Sequence, residues 1–211
     1  MAGRKAKTTP PGRLVYPYVN EPDHEGHKRY PNTSLRYKTS VICKLNTVSR
    51  KIIEEIDQEI DTKFAEVEEA LTEAQKKKMA KEGKSLSKQY PYEELENDDG
   101  TPTGEVKFSM AQNVTITKNG VETKVDPPAI FNAKGEIDMG ISVRGGDLAK
   151  VKFAQRPYYN ASALCVGVTL DLWGVLIVSQ QRAAPTMEAV TEEELRECGI
   201  DPHTDEDNAD F

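Results

Sequence analysis

The stretch LAKVKFAQRPYYNAS, residues 148–162, carries the side chains with the most to offer chemically. Under strand alternation Val151 and Phe153 point one way, while Lys150, Lys152, Ala154, Arg156 and Tyr158 point the other. One face would then present three cations followed by a ring. An earlier stretch, SLRYKTSVICKLN, alternates as well. Leu35, Tyr37, Val41, Cys43 and Leu45 fall on an apolar side, and Arg36, Lys38, Ser40, Ile42 and Lys44 on a largely basic one. Lys107, between Val106 and Phe108, has the same outward phase. Cations in a row follow phosphates and release their counterions, and exposed rings stack on unpaired bases at roughly 1–3 kcal/mol each. The pattern fits a single-stranded polynucleotide. A duplex reader would call for a groove-sized helix or ribbon, and no helix-turn-helix or zinc-finger spacing is present. The plain alternative is a solvated strand face, where lysine and tyrosine are common.

Other chemistries find less support. HEGH at 24–27 lacks the spacing of a zinc protease and is expected in a loop. DPHTDEDNAD has no glycine at the turn and no closing glutamate, so it is a poor calcium loop. RGGD at 144–147 is too short for a phosphate cradle and precedes a strand, so it reads as a turn. No nucleophile has a recognisable histidine partner, and no carboxylates cluster as a nuclease would need. Cys43, Cys165 and Cys198 are odd in number and form no CxxC pair, which argues against zinc and for a reducing compartment. The apolar run ALCVGVTLDLWGVLIV is interrupted by Asp171 and short for a membrane span.

Charge is distributed unevenly. The chain of 211 residues has a net charge of −7, yet residues 188–211 hold ten acids against Arg196 alone. The remaining 27 bases and 25 acids leave the body slightly positive. A flexible, basic arm is expected over 1–13, a folded domain over 14–182, and a disordered acidic tail over 183–211.

The elements that would position the basic stripes follow from periodicity. Ile52, Ile53, Ile56, Ile60, Phe64, Val67 and Leu71 recur at helical steps and predict one helix over about 49–82, capped by Thr47 or Ser49. YPYEELENDDGTPTG reads as a polar loop. Asn119-Gly120 is a strong hairpin signal. In VGVTLDLWGVLIV, Val166, Val168, Leu170 and Leu172 share a face opposite Thr169 and Asp171, and Gly174 offers a bend or bulge. Several strands, tight turns and one long helix predict a mainly β barrel with a packed helix.

YPYVNEPD, RYKTSVICKLN with its helix, VKFAQRPYYNAS, VGVTLDLWGVLIV and an acidic end closing in DF occur in this order. Together they resemble the single-stranded DNA-binding protein family of T7-like bacteriophages. The resemblance implies an OB-fold, no cofactor or metal, a homodimer, no membrane, and a place in phage replication, recombination and repair in the cytoplasm of the infected host. It implies DNA contacts by Lys150, Lys152, Tyr158 and Arg36 and less directly by Lys107; Lys38 and Arg156 join them from the strand alternation. Met110 stands where the family pattern has a tyrosine, and Phe108 or Tyr159 is expected to compensate. The acidic tail, with Asp205, Glu206, Asp207, Asp210 and the apolar anchor Phe211, is expected to compete for the DNA groove and to meet the phage DNA polymerase and helicase–primase. A competing reading is an acidic adaptor or DNA mimic that sequesters a host enzyme through the glutamate-rich helix and the tail.

Overall fold

The computed structural model describes residues 5–31, 33–118 and 120–181. The expected tail over 183–211, with Asp205, Glu206, Asp207, Asp210 and Phe211, lies outside the described residues, as do residues 1–4. In chain order the elements are β1 (Lys7–Thr8), β2 (Gly12–Tyr18), α1 (His24–Arg29), β3 (Arg36–Lys44), α2 (Thr47–Ala70), α3 (Glu73–Lys81), β4 (Ser87–Gln89), β5 (Tyr92–Glu96), β6 (Pro102–Asn113), β7 (Thr115–Lys118), β8 (Val121–Lys124), β9 (Ala129–Phe131), β10 (Leu148–Asn160) and β11 (Cys165–Ser179).

Five of these strands close on themselves. β2 pairs with β3, β3 with β6 and β10 with β11, all antiparallel; β6 and β11 run parallel, and β10 returns to β2. The circuit β2-β3-β6-β11-β10 is the small Greek-key barrel of an OB-fold. β1, β4, β5 and β9 extend it at its margins, and β7 with β8 forms a separate hairpin across Gly120, whose φ of 78° favours glycine. The core is the apolar phase of the barrel strands: Val41, Val106, Phe108, Val151, Phe153, Leu170 and Leu172. The α2 residues Ile52, Ile56 and Ile60 join it, with Ile56 and Ile60 fully buried.

Five expectations are corrected. The predicted helix over 49–82 is two helices. Leu71 turns extended (φ −68°, ψ 125°), and Thr72 restarts the chain as a cap. Gln75 Oε1 accepts from the Thr72 N–H at 2.9 Å while the Gln75 N–H donates to Thr72 Oγ1 at 3.3 Å, a capping box in the middle of a helical pattern. The first helix is capped one residue earlier than expected, by Asn46. Its Oδ1 accepts from the Val48 and Ser49 N–H groups at 2.9 and 3.1 Å, and Ser49 Oγ accepts from the Asn46 N–H at 2.7 Å.

The arm expected over 1–13 is structured from Lys7. β1 pairs with β10, the Thr9 N–H donates to the Val151 carbonyl at 3.0 Å, and Gly12 already belongs to β2. Lys7 reaches across to Glu55 of α2 at 2.6 Å and donates to the Gln155 side chain. The loop expected around YPYEELE is β5, paired with β6 through a turn at Gly100. HEGHKR is α1 rather than loop, because the Asp23 carboxylate accepts the Gly26 N–H at 2.8 Å and caps it.

Candidate nucleic-acid interface

A groove of about 990 Å³ runs across the outward face of β3, β6 and β11. Alternation on β3 holds as read from the sequence: Tyr37, Val41 and Cys43 are buried, while Arg36, Lys38 and Ser40 face out and line the groove. Their partners on β6 share that face. Lys38 lies opposite Ala111 and Ser40 opposite Ser109, with the two serine hydroxyls 3.2 Å apart. β11 continues the floor with Thr169 and Asp171, and β10 supplies Arg156 and Tyr158. Strands two and three of an OB barrel and its flanking loops are where such folds hold oligonucleotides.

Two bulges shape the groove. Between Val15 and Tyr18 the pairing of β2 with β3 gains a residue on β2. Between Lys152 and Phe153 the pairing of β10 skips from Gly174 to Leu172, leaving Trp173 as the extra residue of β11. A bulge re-aims side chains that alternation would bury. Tyr16, in the phase of buried Gly12 and Leu14, is thereby 78% exposed; Trp173 keeps the outward phase of Thr169 and Asp171 and is 41% exposed, and both line the groove. Tyr16 takes a φ of 46°, a left-handed conformation costly for a bulky side chain. Gly174 is required beside Trp173, because a Cβ there would sit 2.7 Å from the Ala129 carbonyl. Tyr90 completes the ring set at 45% exposure; its edge meets Tyr92 at 5.6 Å, and Tyr92 in turn meets the buried Phe108 at 6.3 Å. Burial and the neighbouring Asp57 carboxylate, which accepts from the Tyr92 hydroxyl at 2.8 Å, raise the Tyr92 pKa.

The expected site residues divide into three groups. Arg36, Lys38, Arg156 and Tyr158 come together in the groove. The Tyr158 hydroxyl donates to Gln89 Oε1 at 2.6 Å, which fixes the ring at the end formed by β4. Lys107, Lys150 and Lys152 keep the outward phase of their strands but lie beyond the lining; Lys152 is about 13 Å along β10 from Arg156 at 3.3 Å per residue. Phe108 and Tyr159 are corrected. Phe108 has no exposed surface and is a core residue. Tyr159 is opposite Val166 on the reverse face of β10, in phase with Pro157, which lines a cleft against α2. Met110, too, is only 3% exposed. Tyr16, Tyr90 and Trp173 were missed. The signal available for Trp173 was alternation itself, which puts it in phase with Thr169 and Asp171; the bulge there shifts only the residues after it, so that Val175 and Ile177 are buried.

The groove cations are held by acids. Lys38 pairs with Asp23 at 2.5 Å and lies over the Tyr18 ring. The Lys38 ammonium holds the Asp23 carboxyl below the usual carboxylate range against the opposing effect of burial. Arg156 grips Asp171 with two donors, Nε to Oδ2 at 3.0 Å and Nη2 to Oδ1 at 2.9 Å, and the pairing raises the Arg156 pKa. Lys107 pairs with Glu93 at 2.5 Å. Among the described residues, no acid stands within ion-pair distance of Arg36, Lys150 or Lys152. Cys43 lies behind β3 with its thiol pushed up to about 11 by burial, and Cys165 is half-buried beside Gln89.

Comparison with known proteins gives a consistent picture. The family model described as single-stranded DNA-binding protein, bacteriophage T7, matches residues 12–180. The crystal structure of gp2.5, a single-stranded DNA-binding protein encoded by bacteriophage T7, superposes with a TM-score of 0.66 at 19% identity, covering 90% of this chain and 99% of that one. The single-stranded DNA-binding protein of bacteriophage Enc34, in complex with ssDNA, superposes with a TM-score of 0.52 at 13% identity, covering 84% of this chain and 88% of that one. No curated protein sequence matches.

Proposed function

Since the chain belongs to the single-stranded DNA-binding protein family of bacteriophage T7, we propose that the groove over β3, β6 and β11 binds single-stranded DNA without regard to sequence. The observation that carries this reading is the set of rings lining the groove, Tyr16 on its bulge together with Trp173, Tyr90 and Tyr158, beside a basic strand edge. Rings stack on any base, and the cations Arg36, Lys150 and Lys152 follow the backbone. The role is binding, not catalysis. The Enc34 relative solved with ssDNA supports it.

The biological setting is replication, recombination and repair of phage DNA in the host cell, with strand protection and annealing as the work done. The acidic segment with Asp205, Glu206, Asp207, Asp210 and Phe211 recruits the DNA polymerase and helicase–primase, and the chain acts as a homodimer. Acid supplies steering, while an inserted ring supplies an anchor that charge cannot. The test is oligonucleotide binding by the full chain and by a chain lacking residues 188–211, together with polymerase stimulation. The truncated chain should bind DNA more tightly, by relief of competition from a tethered anion, and should fail to stimulate polymerase. No oligonucleotide binding by either form at low salt would refute the reading.

A further inference from the structure

Lys38, Lys107 and Arg156, half of the six cations expected to contact DNA, are already neutralised by Asp23, Glu93 and Asp171. In the two pairs within the groove the acid is the more buried member. The Asp23 side chain is 7% exposed against 42% for Lys38, and Asp171 is 18% exposed against 44% for Arg156. The Asp171 carboxylate is fixed in the groove lining and the Asp23 carboxylate holds Lys38 from the cap of α1, so a phosphate approaching either cation meets the field of its acid. A base stacking on Tyr16, Tyr90 or Trp173 meets no such opposition.

Resting on the single-strand reading above, we propose that Asp23 and Asp171 are specificity determinants. By neutralising Lys38 and Arg156 they make the groove select strands that offer unstacked bases and reject polyanions that offer phosphate alone. Discrimination by an element placed against the wrong ligand is a general route to specificity. Of those six, only Arg36, Lys150 and Lys152 have no acid within ion-pair distance among the described residues and remain to release counterions. Three phosphates give a salt slope of about −2 for a single strand, whereas six would give about −4.

The experiment titrates the full chain with oligo-dT, an abasic strand of equal length and inorganic polyphosphate over a salt series. Asp171→Asn and the double variant Asp171→Asn with Arg156→Gln are measured beside it, each checked by thermal melting. The expected wild-type slope for oligo-dT is about −2, and the abasic strand should bind at least roughly tenfold more weakly, the loss of a single stacked base. Asp171→Asn should steepen the slope by about 0.7, one more phosphate, and bind polyphosphate several-fold more tightly. The double variant should lose that gain, which separates a liberated Arg156 from a loosened fold. A wild-type slope near −4, equal affinity for abasic and dT strands, or unchanged polyphosphate binding by a folded Asp171→Asn protein would each overturn the proposal. Failure to bind oligo-dT at any salt defeats the single-strand reading instead, whatever Asp171→Asn does with polyphosphate.

Discussion

Tyr16 concentrates the relation between local strain and function in one residue. Its φ of 46°, ahead of Pro17 and inside a bulge, leaves the ring 78% exposed at the groove. A left-handed tyrosine costs on the order of 1–3 kcal/mol, which surrounding structure must offset. Tyr16→Gly should therefore raise stability by about 1 kcal/mol while weakening single-strand binding roughly tenfold, one stacking contact. Parallel denaturation and anisotropy titrations check both signs. Phe108 behaves in the opposite way. With no exposed surface, Phe108→Ala should cost about 3–5 kcal/mol of stability, and any DNA defect should track the unfolded fraction. At this scale the sequence was legible wherever strict alternation held, as at Arg36, Lys38, Arg156 and Tyr158. The expectation at Phe108 came from the resemblance and went against alternation, which puts Phe108 in the buried phase of β6 with Val106 and Met110; Trp173, in the outward phase of Thr169 and Asp171, was passed over although alternation exposes it.

Helix and strand boundaries were set by hydrogen bonds from short polar side chains that hydropathy does not register. Asn46 and Ser49 satisfy each other's backbone donors at the start of α2, and Ser49 Oγ also donates to the Lys44 carbonyl at 2.9 Å. This ties the helix to the end of β3, and so fixes the register at which Ile52, Ile56 and Ile60 enter the core. Asn46→Ala should cost about 1 kcal/mol, seen as a lower denaturation midpoint with an unchanged slope, because the exposed area on unfolding stays the same. The Thr72 and Gln75 box that divides α2 from α3 was readable in principle as T-x-x-Q, but the apolar repeat through Leu71 outweighed it. β1 and β4 had no signal at all. Strands of two and three residues carry too little alternation, and what holds them is pairing with partners far away in the chain.

The whole molecule depends on charge pairs that hold loops onto the barrel. Asp23 caps α1, pairs with Lys38 of β3 and lies 6% exposed, so it joins the segment after β2 to the groove floor. Its pKa is lowered by Lys38, so its contribution is present above the unfolded value of about 3.9 and is lost as pH falls through the lower folded value. Wild-type stability should fall as the pH drops below about 4. Asp23→Asn, which keeps the cap, should be less stable at neutral pH and show a flatter acid limb; chemical denaturation over a pH series reads both. The barrel class and its packed helix were legible from strand count and periodicity. Its closure was not, because the pairs β10–β2 and β6–β11 join segments with no mutual mark in the sequence.

β11 pairs with β10 along its length and also holds β4, β6 and β9. It is the last barrel strand to be synthesised. The β10–β11 hairpin has local contacts and can form early, whereas the β6–β11 pair must wait for a long loop to close. Barrel closure is then a late event that follows translation of Ser179. Trp173, Asp171 and Thr169 reach the groove only with it, so a nascent chain exposes its basic β3 edge before it owns a site. The groove's aromatic floor is therefore completed by the last barrel strand to leave the ribosome.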